Sequence, residues 1–203
     1  MFISFEGLDG SGKSTQIKLL KSKLESAGFE PLLIREPGGT HISEEIRTLL
    51  LNNKHHNMTS VTEVLLFFAS RAQLMKEVVE PALSENKVVI ADRFVDSSFA
   101  YQGYGRGIDL DFLKNLSKQS TFGIMPEITF LLDIEHAVSN TRQNVRGEKD
   151  RMERMPDELW NKIRFGYLEL AKQEPQRWKV LDATQQPEII HLQIMNALKP
   201  LGI

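Results

Sequence analysis

The 203-residue chain contains no cysteine. This absence excludes disulfide bonds, a catalytic thiol and any metal site built on thiolates, and it fits a cytoplasmic location. The net charge is only −2, since 25 basic residues nearly balance 27 acidic ones, so we do not expect a broad surface for nucleic acid. No apolar run approaches the roughly 20 residues that span a bilayer, so we expect no membrane partner either.

The remaining composition is typical of a globular domain. Hydrophobic residues make up 41% of the chain and charged residues 26%. This length suits one domain with a substantial core, and no repeat or low-complexity linker divides the sequence. The N-terminus leads directly into the first predicted strand, which leaves no room for a signal peptide. We therefore predict a single domain over residues 1–203.

Strand-like and helix-like segments alternate along the chain. Short apolar runs predict strands at 2–5, 32–34, 88–91, 128–132 and 179–181. Helical periodicity predicts helices at 14–27, at 42–50, from 60 through the seventies, over the stretch after 93, and at 109–120, 135–145, 157–173 and 187–198. Ser60 and Glu63 have the spacing of a capping box, and glycines at 103, 105 and 107 are expected to break the helix after 93. The alternation predicts an α/β fold with a parallel sheet.

The segment 7–14 matches the phosphate-binding loop G-x-x-x-x-G-K-[ST] at every fixed position. It lies between the first predicted strand and helix, where its glycines and the helix N-terminus can surround an anion with backbone N–H groups. Lys13 can reach the outer phosphates and Ser14 can ligate Mg²⁺. A purely structural glycine turn would explain the glycines but not Lys13 followed by Ser14. The residues predicted to bind the nucleotide phosphates are Gly7, Leu8, Asp9, Gly10, Ser11, Gly12, Lys13, Ser14 and Thr15.

Polar residues also follow two other predicted strands, at the edge where open α/β sheets bind ligands. Asp92 ends the third strand and can hold Mg²⁺, while Arg93 beside it can face a phosphate. Arg35 follows the second strand and precedes a Pro-Gly turn. The simpler interpretations are a charged pair that caps the next helix and a solvated arginine in a turn.

Two further segments have either a structural or a functional interpretation. Phe67 and Arg71 share one face of a predicted helix, and as core residue and surface charge they would need no ligand. The stretch 142–154 is dense in arginine and carboxylates, which usually indicates a solvated loop. Phosphoryl transfer, however, needs cations around the transferring group, and a mobile loop can deliver them while it excludes water.

Several short motifs occur in a characteristic order: Phe5–Gly7, Arg35–Gly39, Phe67–Arg71, Asp92–Phe94, Ser97–Ser98, Ala100–Gly103, Arg106–Ile108 and Asp182–Thr184. Together with the phosphate loop they resemble the bacterial thymidylate kinase family over nearly the whole chain. The resemblance implies the P-loop nucleoside-monophosphate-kinase fold, a five-stranded parallel sheet flanked by helices with a mobile lid at about 142–156. It also implies a homodimer, ATP and Mg²⁺ as cofactors, and transfer of a phosphoryl group from ATP to dTMP, giving dTDP.

The resemblance implies roles for individual residues as well. Those implied to be catalytic are Lys13, Asp9, Arg93, Arg146 and Arg151. Those implied to hold the adenine end of ATP are Arg142, Asp182 and Ala183, and those implied to bind Mg²⁺ are Ser14 and Asp92. Those implied to bind dTMP are Asp9, Arg35, Pro37, Arg47, Phe67, Arg71, Arg93, Ser97, Ser98, Tyr101 and Gln102. Phe67 would stack on thymine, and Tyr101 would exclude a ribose 2′-hydroxyl.

One departure from the family pattern concerns the phosphate loop. Members of the eukaryotic type carry an arginine where this chain has Gly10, and members of the other type supply lid arginines, which Arg146 and Arg151 resemble. Two alternatives remain open. One is a kinase for another pyrimidine nucleoside monophosphate, and the other is a nucleotide-dependent binding switch, although the guanine-reading pattern N-K-x-D does not occur.

Overall fold

Five parallel strands form the sheet of the part that the computed structural model describes, residues 1–143 and 150–203. The strands are β1 (Phe2–Glu6), β2 (Leu32–Arg35), β3 (Val89–Asp92), β4 (Ile128–Asp133) and β5 (Trp178–Asp182). Their order across the sheet is β2-β3-β1-β4-β5. The predicted five-stranded parallel sheet is thus confirmed, and the ends of every strand lie within one residue of the predicted ends.

Helices connect the strands on both faces of the sheet. They are α1 (Lys13–Ser26), α2 (His41–Leu51), α3 (Ser60–Leu74), α4 (Glu80–Ser84), α5 (Val95–Ser98), α6 (Leu110–Ser120), α7 (His136–Gln143), α8 (Asp157–Gln173) and α9 (Pro187–Leu198). A π-helical turn, Met75–Val79, joins α3 to α4, and a second one, Phe99–Gly105, extends α5. Across the described ranges, none of the helices has both the length and the apolar composition needed to cross a bilayer.

Two apolar clusters cover the two faces of the sheet. The first includes Leu20 from α1, Ile163 from α8 and Ile194 from α9. The second includes Val64 from α3 and Leu113 from α6. Because both faces are covered, the central strands are buried along their length, including all five residues of β1. This explains why their apolar runs do not alternate with polar residues.

The register of the strands decides where functional side chains meet. Phe5 of β1 lies opposite Asp92 of β3 and Phe130 of β4, and Arg35 of β2 also lies opposite Asp92. The segments that follow β1, β2 and β3 therefore leave the sheet at the same level. Three separate stretches of sequence, beginning at residues 7, 36 and 93, converge at one edge.

The predicted capping box at the start of α3 is wrong. The N-cap is Thr59, whose hydroxyl accepts a hydrogen bond from the Thr62 amide at 3.2 Å. Ser60 is already the first helical residue. Glu63 is 1% exposed and binds Arg106 from another element instead of capping its own helix. The ion pair of Glu63 with Arg106 is favoured over a capping hydrogen bond, because a buried carboxylate without a charged partner costs more free energy than a lost cap.

The prediction that glycines break the helix after 93 is also wrong at two of three positions. α5 and its π-helical extension run without interruption to Gly105. A Cβ on Gly103 would lie 2.6 Å from Leu110 Cδ2, and a Cβ on Gly105 would lie 2.9 Å from Ile163 Cγ1. These glycines thus allow close packing against α6 and α8. Only Gly107, with φ of +76°, lies beyond the end of the helical segment.

Candidate active site

Three clefts lie side by side at the carboxyl edge of the sheet. The central cleft contains Lys13 and Asp92; it shares Asp9 and Arg93 with a pocket on one side. We call this neighbour the aromatic pocket. It is lined by Asp9, Glu36, Pro37, Arg47, Leu51, Phe67, Arg71, Arg93, Phe94, Ser97, Ser98, Tyr101, Gln102, Asp150, Met152 and Glu153. The outer cleft, on the other side, is lined by Gly10, Ser11, Gly12, Thr15, Gln16, Leu132, Arg142, Ala183, Thr184, Gln185, Gln186, Pro187 and Ile190. The shared residues make the three clefts one continuous trough.

The phosphate loop between β1 and α1 has the backbone that an anion site requires. Gly7, Gly10 and Gly12 have φ of +131°, +78° and +97°, a region that side chains disfavour. At Gly7 a Cβ would also lie only 2.5 Å from the carbonyl oxygen of Leu132, so only glycine fits there. The first amides of α1 have no partner within the helix and can donate to an anion in the central cleft.

Lys13 is held at the floor of this loop. Its ammonium group donates to the carbonyl oxygens of Gly7 and Leu8, both at 3.0 Å, and lies 3.8 Å from Asp9 Oδ1. Burial, and secondly the charge of Arg93, lowers the pKa of Lys13 to about 8. An anionic ligand in the cleft would reverse part of that shift, because it stabilises the charged form. Leu8 itself packs in the core and contributes only its backbone.

The two residues predicted to bind Mg²⁺ lie together in the central cleft. Ser14 Oγ is 3.5 Å from Asp92 Oδ2. A hydroxyl and a carboxylate are hard oxygen donors that fit Mg²⁺, which keeps several waters and takes phosphate oxygens as further ligands. In the described part of the chain, no three carboxylate or histidine side chains are grouped to hold a metal by themselves. With Ser14 and Asp92 as protein ligands, the ion would take its remaining ligands from water and from nucleotide phosphates.

Arg93 is the centre of a hydrogen-bond network above β1 and β3. Its backbone has φ of +69°, which turns the chain as it leaves the strand. Its guanidinium group donates to Asp9 Oδ1 at 2.8 Å, to the Tyr167 hydroxyl at 3.0 Å and to Ser97 Oγ at 3.2 Å. The guanidinium carbon also lies 5.1 Å from the centre of the Tyr101 ring. The side chain is thereby fixed between the central cleft and the aromatic pocket.

Glu6 supports this network from below. Its carboxylate accepts from the Phe94 amide at 2.8 Å, from Ser97 Oγ at 2.5 Å and from the Tyr167 hydroxyl at 2.9 Å. The last two groups are the ones that also bind Arg93, so Glu6 orients the arginine without touching the cleft. Burial, reinforced by the charge of Asp96, raises the pKa of Glu6 to about 7.

Arg71 forms one wall of the aromatic pocket and is 2% exposed. Its Nε donates to both carboxylate oxygens of Glu36, at 3.0 and 2.8 Å, and its NH2 group donates to Ser98 Oγ at 3.0 Å. The guanidinium carbon lies 4.7 Å from the centre of the Phe68 ring. Burial raises the pKa of Glu36, and the charge of Arg71 opposes that shift. Arg71 is thus no surface charge, contrary to the simpler interpretation of its spacing.

Residues predicted for dTMP line the aromatic pocket with one exception. Phe67, Arg71, Ser98, Tyr101 and Gln102 all contribute to its walls. The exception, the last residue of β2, lines the central cleft.

That exception is Arg35, whose NH2 group donates to both carboxylate oxygens of Glu44 at 3.0 Å. Arg47 lines both the central cleft and the aromatic pocket, and its NH1 group donates to the carbonyl oxygen of Pro37 at 2.7 Å. Burial, and secondly the charge of Arg35, lowers the pKa of Arg47. Arg47 therefore lies where the two clefts join, and Arg35 lines the central cleft with its charge paired to Glu44.

The outer cleft brings together distant residues that were predicted for adenine. Arg142 NH1 donates to the carbonyl oxygen of Ala183 at 3.0 Å and lies 3.5 Å from that of Gly10. Asp182 does not line this cleft. Its carboxylate accepts from the amide and hydroxyl of Thr184, at 2.9 and 2.7 Å, and so shapes the turn after β5.

Of the two predicted lid arginines, the structure describes only Arg151, and its hydrogen bonds lie away from the phosphate loop. Arg146 lies outside the described residues. Arg151 NH1 donates to Glu63 Oε2 at 2.6 Å, and its Nε donates to the carbonyl oxygen of Leu50 at 2.6 Å. Its side chain is 9% exposed, beside the aromatic pocket. The catalytic role of both arginines stays a prediction.

Sequence reasoning missed the carboxylates that hold the arginines. Glu6 and Glu36 stand inside the recognised motifs, so their position next to a functional residue was an available signal. The spacing of Glu63 from Ser60 wrongly predicted a capping box. Tyr167 lies 161 residues from Glu6 and carries no local pattern that would connect the two.

The raised pKa of Glu6 predicts how pH changes stability. The folded carboxyl keeps its proton to about pH 7, whereas the unfolded one loses it near 4.5, so the native state binds more protons between these values. The contribution of Glu6 to the free energy of unfolding therefore falls as pH rises from 4.5 to 7. We expect urea unfolding of wild type relative to Glu6→Gln to show that decline, at up to about 1.4 kcal/mol per pH unit. If the difference in free energy of unfolding between wild type and Glu6→Gln stays constant or rises with pH, the pKa of Glu6 is not raised.

Comparison with known proteins agrees with this geometry. The thymidylate kinase family model matches residues 5–194. A thymidylate kinase of Chlorobium phaeobacteroides is 47% identical, over 98% of this chain and 94% of its own length. One of Kosmotoga olearia is also 47% identical, over 100% of this chain and 99% of its own. The crystal structure of thymidylate kinase from Ehrlichia chaffeensis superposes with a TM-score of 0.81 at 34% identity, over 98% of both chains. The chain therefore belongs to the thymidylate kinase family of P-loop nucleoside monophosphate kinases.

Proposed function

We propose that the chain transfers the γ-phosphoryl group of ATP to dTMP, giving dTDP and ADP. One observation carries the proposal: the phosphate loop lies between two clefts of different chemistry, joined into one trough. Two nucleotides bound from opposite sides would meet with their phosphates above Lys13. Family membership favours ATP as the donor and dTMP as the acceptor.

The aromatic pocket suits the acceptor nucleotide. Phe67 offers a flat face for a pyrimidine, while Arg71 and Gln102 offer polar groups to its edge. Tyr101 stands beside Arg93, where the sugar would lie if the phosphate faced that arginine. Arg93 and Asp9 line both this pocket and the central cleft, so they would contact the nucleotide where sugar and phosphate meet.

The outer cleft and the phosphate loop suit the donor. Arg142 would cover the adenine against the turn that contains Ala183, since the two are already bonded there. Ser14 and Asp92 would hold Mg²⁺, which supplies charge compensation to the nucleotide phosphates when it is bound. Lys13 would neutralise the oxygens of the transferring group, and Arg35, Arg47 and Arg93 would hold the acceptor phosphate in line. Positioning and charge are most of what phosphoryl transfer requires.

A panel of nucleoside monophosphates with ATP and Mg²⁺ tests the proposal in a coupled ADP-release assay. We expect dTMP to be the best acceptor, because the buried polar groups at the pocket edge must be paired. The 5-methyl group contributes only about 1–3 kcal/mol, so dUMP should react more slowly, whereas dCMP should be very poor.

Lys13→Ala serves as the control for the same assay. It should unfold like wild type but lose turnover by about 10²–10³-fold, the usual effect of removing one transition-state donor. Faster turnover of dCMP than of dTMP would overturn the proposed substrate. More than about a tenth of wild-type activity in Lys13→Ala would overturn the proposed site.

We also propose that the lid arginines supply charge in the transition state, as Gly10 provides no side chain for it. Arg146→Ala and Arg151→Ala, separately and together, should lower kcat more than they raise KM, on the order of 10³-fold for an arginine finger. Arg106→Ala is a matched control because Arg106 shares the Glu63 ion pair with Arg151. If Arg151→Ala and Arg106→Ala have equal effects, Arg151 acts only through that ion pair.

We further propose that the chain forms a homodimer in the cytoplasm. Exposed apolar residues recur at helical spacing on the adjacent helices α2 and α3: Ile42, Leu49, Val61 and Leu65. Such patches are typical of protein interfaces. Light scattering should give twice the mass of the chain, and Leu65→Asp should yield a monomer. Leu192→Asp, on the exposed face of α9, should stay dimeric. A monomeric wild type would refute the dimer.

A further inference from the structure

Glu63 is a buried carboxylate for which the proposed reaction has no use. Its side chain is 1% exposed, and its two oxygens bind three side chains. Oε1 accepts from Gln102 Nε2 at 3.0 Å and from Arg106 Nε at 2.6 Å. Oε2 accepts from Arg106 NH2 at 3.0 Å and from Arg151 NH1 at 2.6 Å. Glu63 does not line the aromatic pocket, but Gln102 does.

This contact fixes the polarity of the Gln102 amide. A glutamine can turn either its NH₂ group or its carbonyl oxygen towards a neighbour. A carboxylate paired with two guanidinium groups can only accept, so Gln102 must present its NH₂ group to Glu63. The carbonyl oxygen of Gln102 is left for the pocket, and within residues 1–143 and 150–203 it accepts no hydrogen bond.

Arg71 supplies the opposite polarity in the same pocket. Its Nε and NH2 groups are occupied by Glu36 and Ser98, whereas its NH1 group is buried and has no partner in the described part of the chain. Ser98, which binds Arg71, precedes Gln102 by one helical turn on the same segment. The NH1 group of Arg71 and the carbonyl oxygen of Gln102 therefore belong to one wall. This wall offers one fixed donor and one fixed acceptor.

A pyrimidine with a ring N–H beside a carbonyl, as in thymine or uracil, complements such a wall. Cytosine presents the reverse pattern, an amino donor beside an unprotonated ring nitrogen, and would leave both buried groups unpaired. We propose that Glu63 is a positioning residue that makes the pocket select a 4-oxo pyrimidine over a 4-amino pyrimidine by holding the Gln102 amide in one orientation. This inference rests on the proposed function, since it assigns the aromatic pocket to the acceptor base.

The test compares Arg106→Gln with the double variant E63Q/R106Q. Arg106→Gln removes one cation but keeps the contact between Glu63 and Gln102. The double variant removes one charge of each sign, so it leaves only Arg151 without its anion, whereas Glu63→Gln alone would leave both Arg106 and Arg151 without it. An amide at position 63 can donate or accept, so Gln102 becomes free to turn. The measurements are kcat and KM for dTMP and dCMP, binding of both nucleotides, and the urea midpoint.

We expect the ratio of kcat/KM for dTMP over dCMP to fall at least about tenfold in E63Q/R106Q relative to R106Q. The change in this ratio should arise mainly from KM and binding, because any change in kcat from releasing Arg151 would affect both nucleotides alike. Glu63→Asp retains the negative charge but moves it away from Gln102. It should therefore lower the same ratio of kcat/KM values. It replaces the double variant if the double variant fails to fold.

An equal loss of activity on both substrates would show a merely structural role and overturn the inference, as would an unchanged ratio. If wild type and R106Q do not phosphorylate dTMP at all, the proposed function fails instead. The two failures are therefore distinguishable.

Discussion

The pairing of β1 between β3 and β4 is the constraint on which the site depends. Ladder hydrogen bonds hold Phe5 level with Asp92 on one side and with Phe130 on the other. Because of this alignment, the phosphate loop, Arg93 and the turn after β2 emerge at one height. A slip of one residue would turn the side chains of a strand to the opposite face of the sheet. In β1 such a slip is costly because it would separate the buried Ser4 and Glu6 from their hydrogen-bond partners, and this cost protects the geometry of the clefts.

Buried carboxylates in the walls of the clefts and beneath them hold the arginines in place. Glu36 binds Arg71 directly, and Glu6 acts on Arg93 through Ser97 and Tyr167. A buried ion pair is weak evidence for stability, because desolvation offsets much of the attraction. What the pairs provide is orientation, since a guanidinium group that is already bonded cannot swing away from the ligand. The raised pKa of Glu6 reflects this cost of burial.

The local motifs were predictable because their geometry is set within a few residues. Glycine positions, the lysine and the following serine determine the phosphate loop, and the strand-loop-helix context around Lys13 was equally visible. The five strands were predictable for the same reason, since each is a short apolar run. Errors occurred where a residue had two local interpretations. The spacing of Ser60 and Glu63 fits a capping box, but an ion pair with Arg106 on a distant segment prevailed.

The sequence by itself determined the fold class, the phosphate loop and, through its motifs, most residues of the trough. Only the tertiary structure decided which carboxylate holds which arginine, for the partners are far apart along the chain, as with Glu63 and Arg151. It also decided that Gly103 and Gly105 serve packing and do not end a helix. The physical reason is the same in each case: backbone preference acts over a few residues, whereas the energy of a buried charge or a close contact depends on what folding brings beside it.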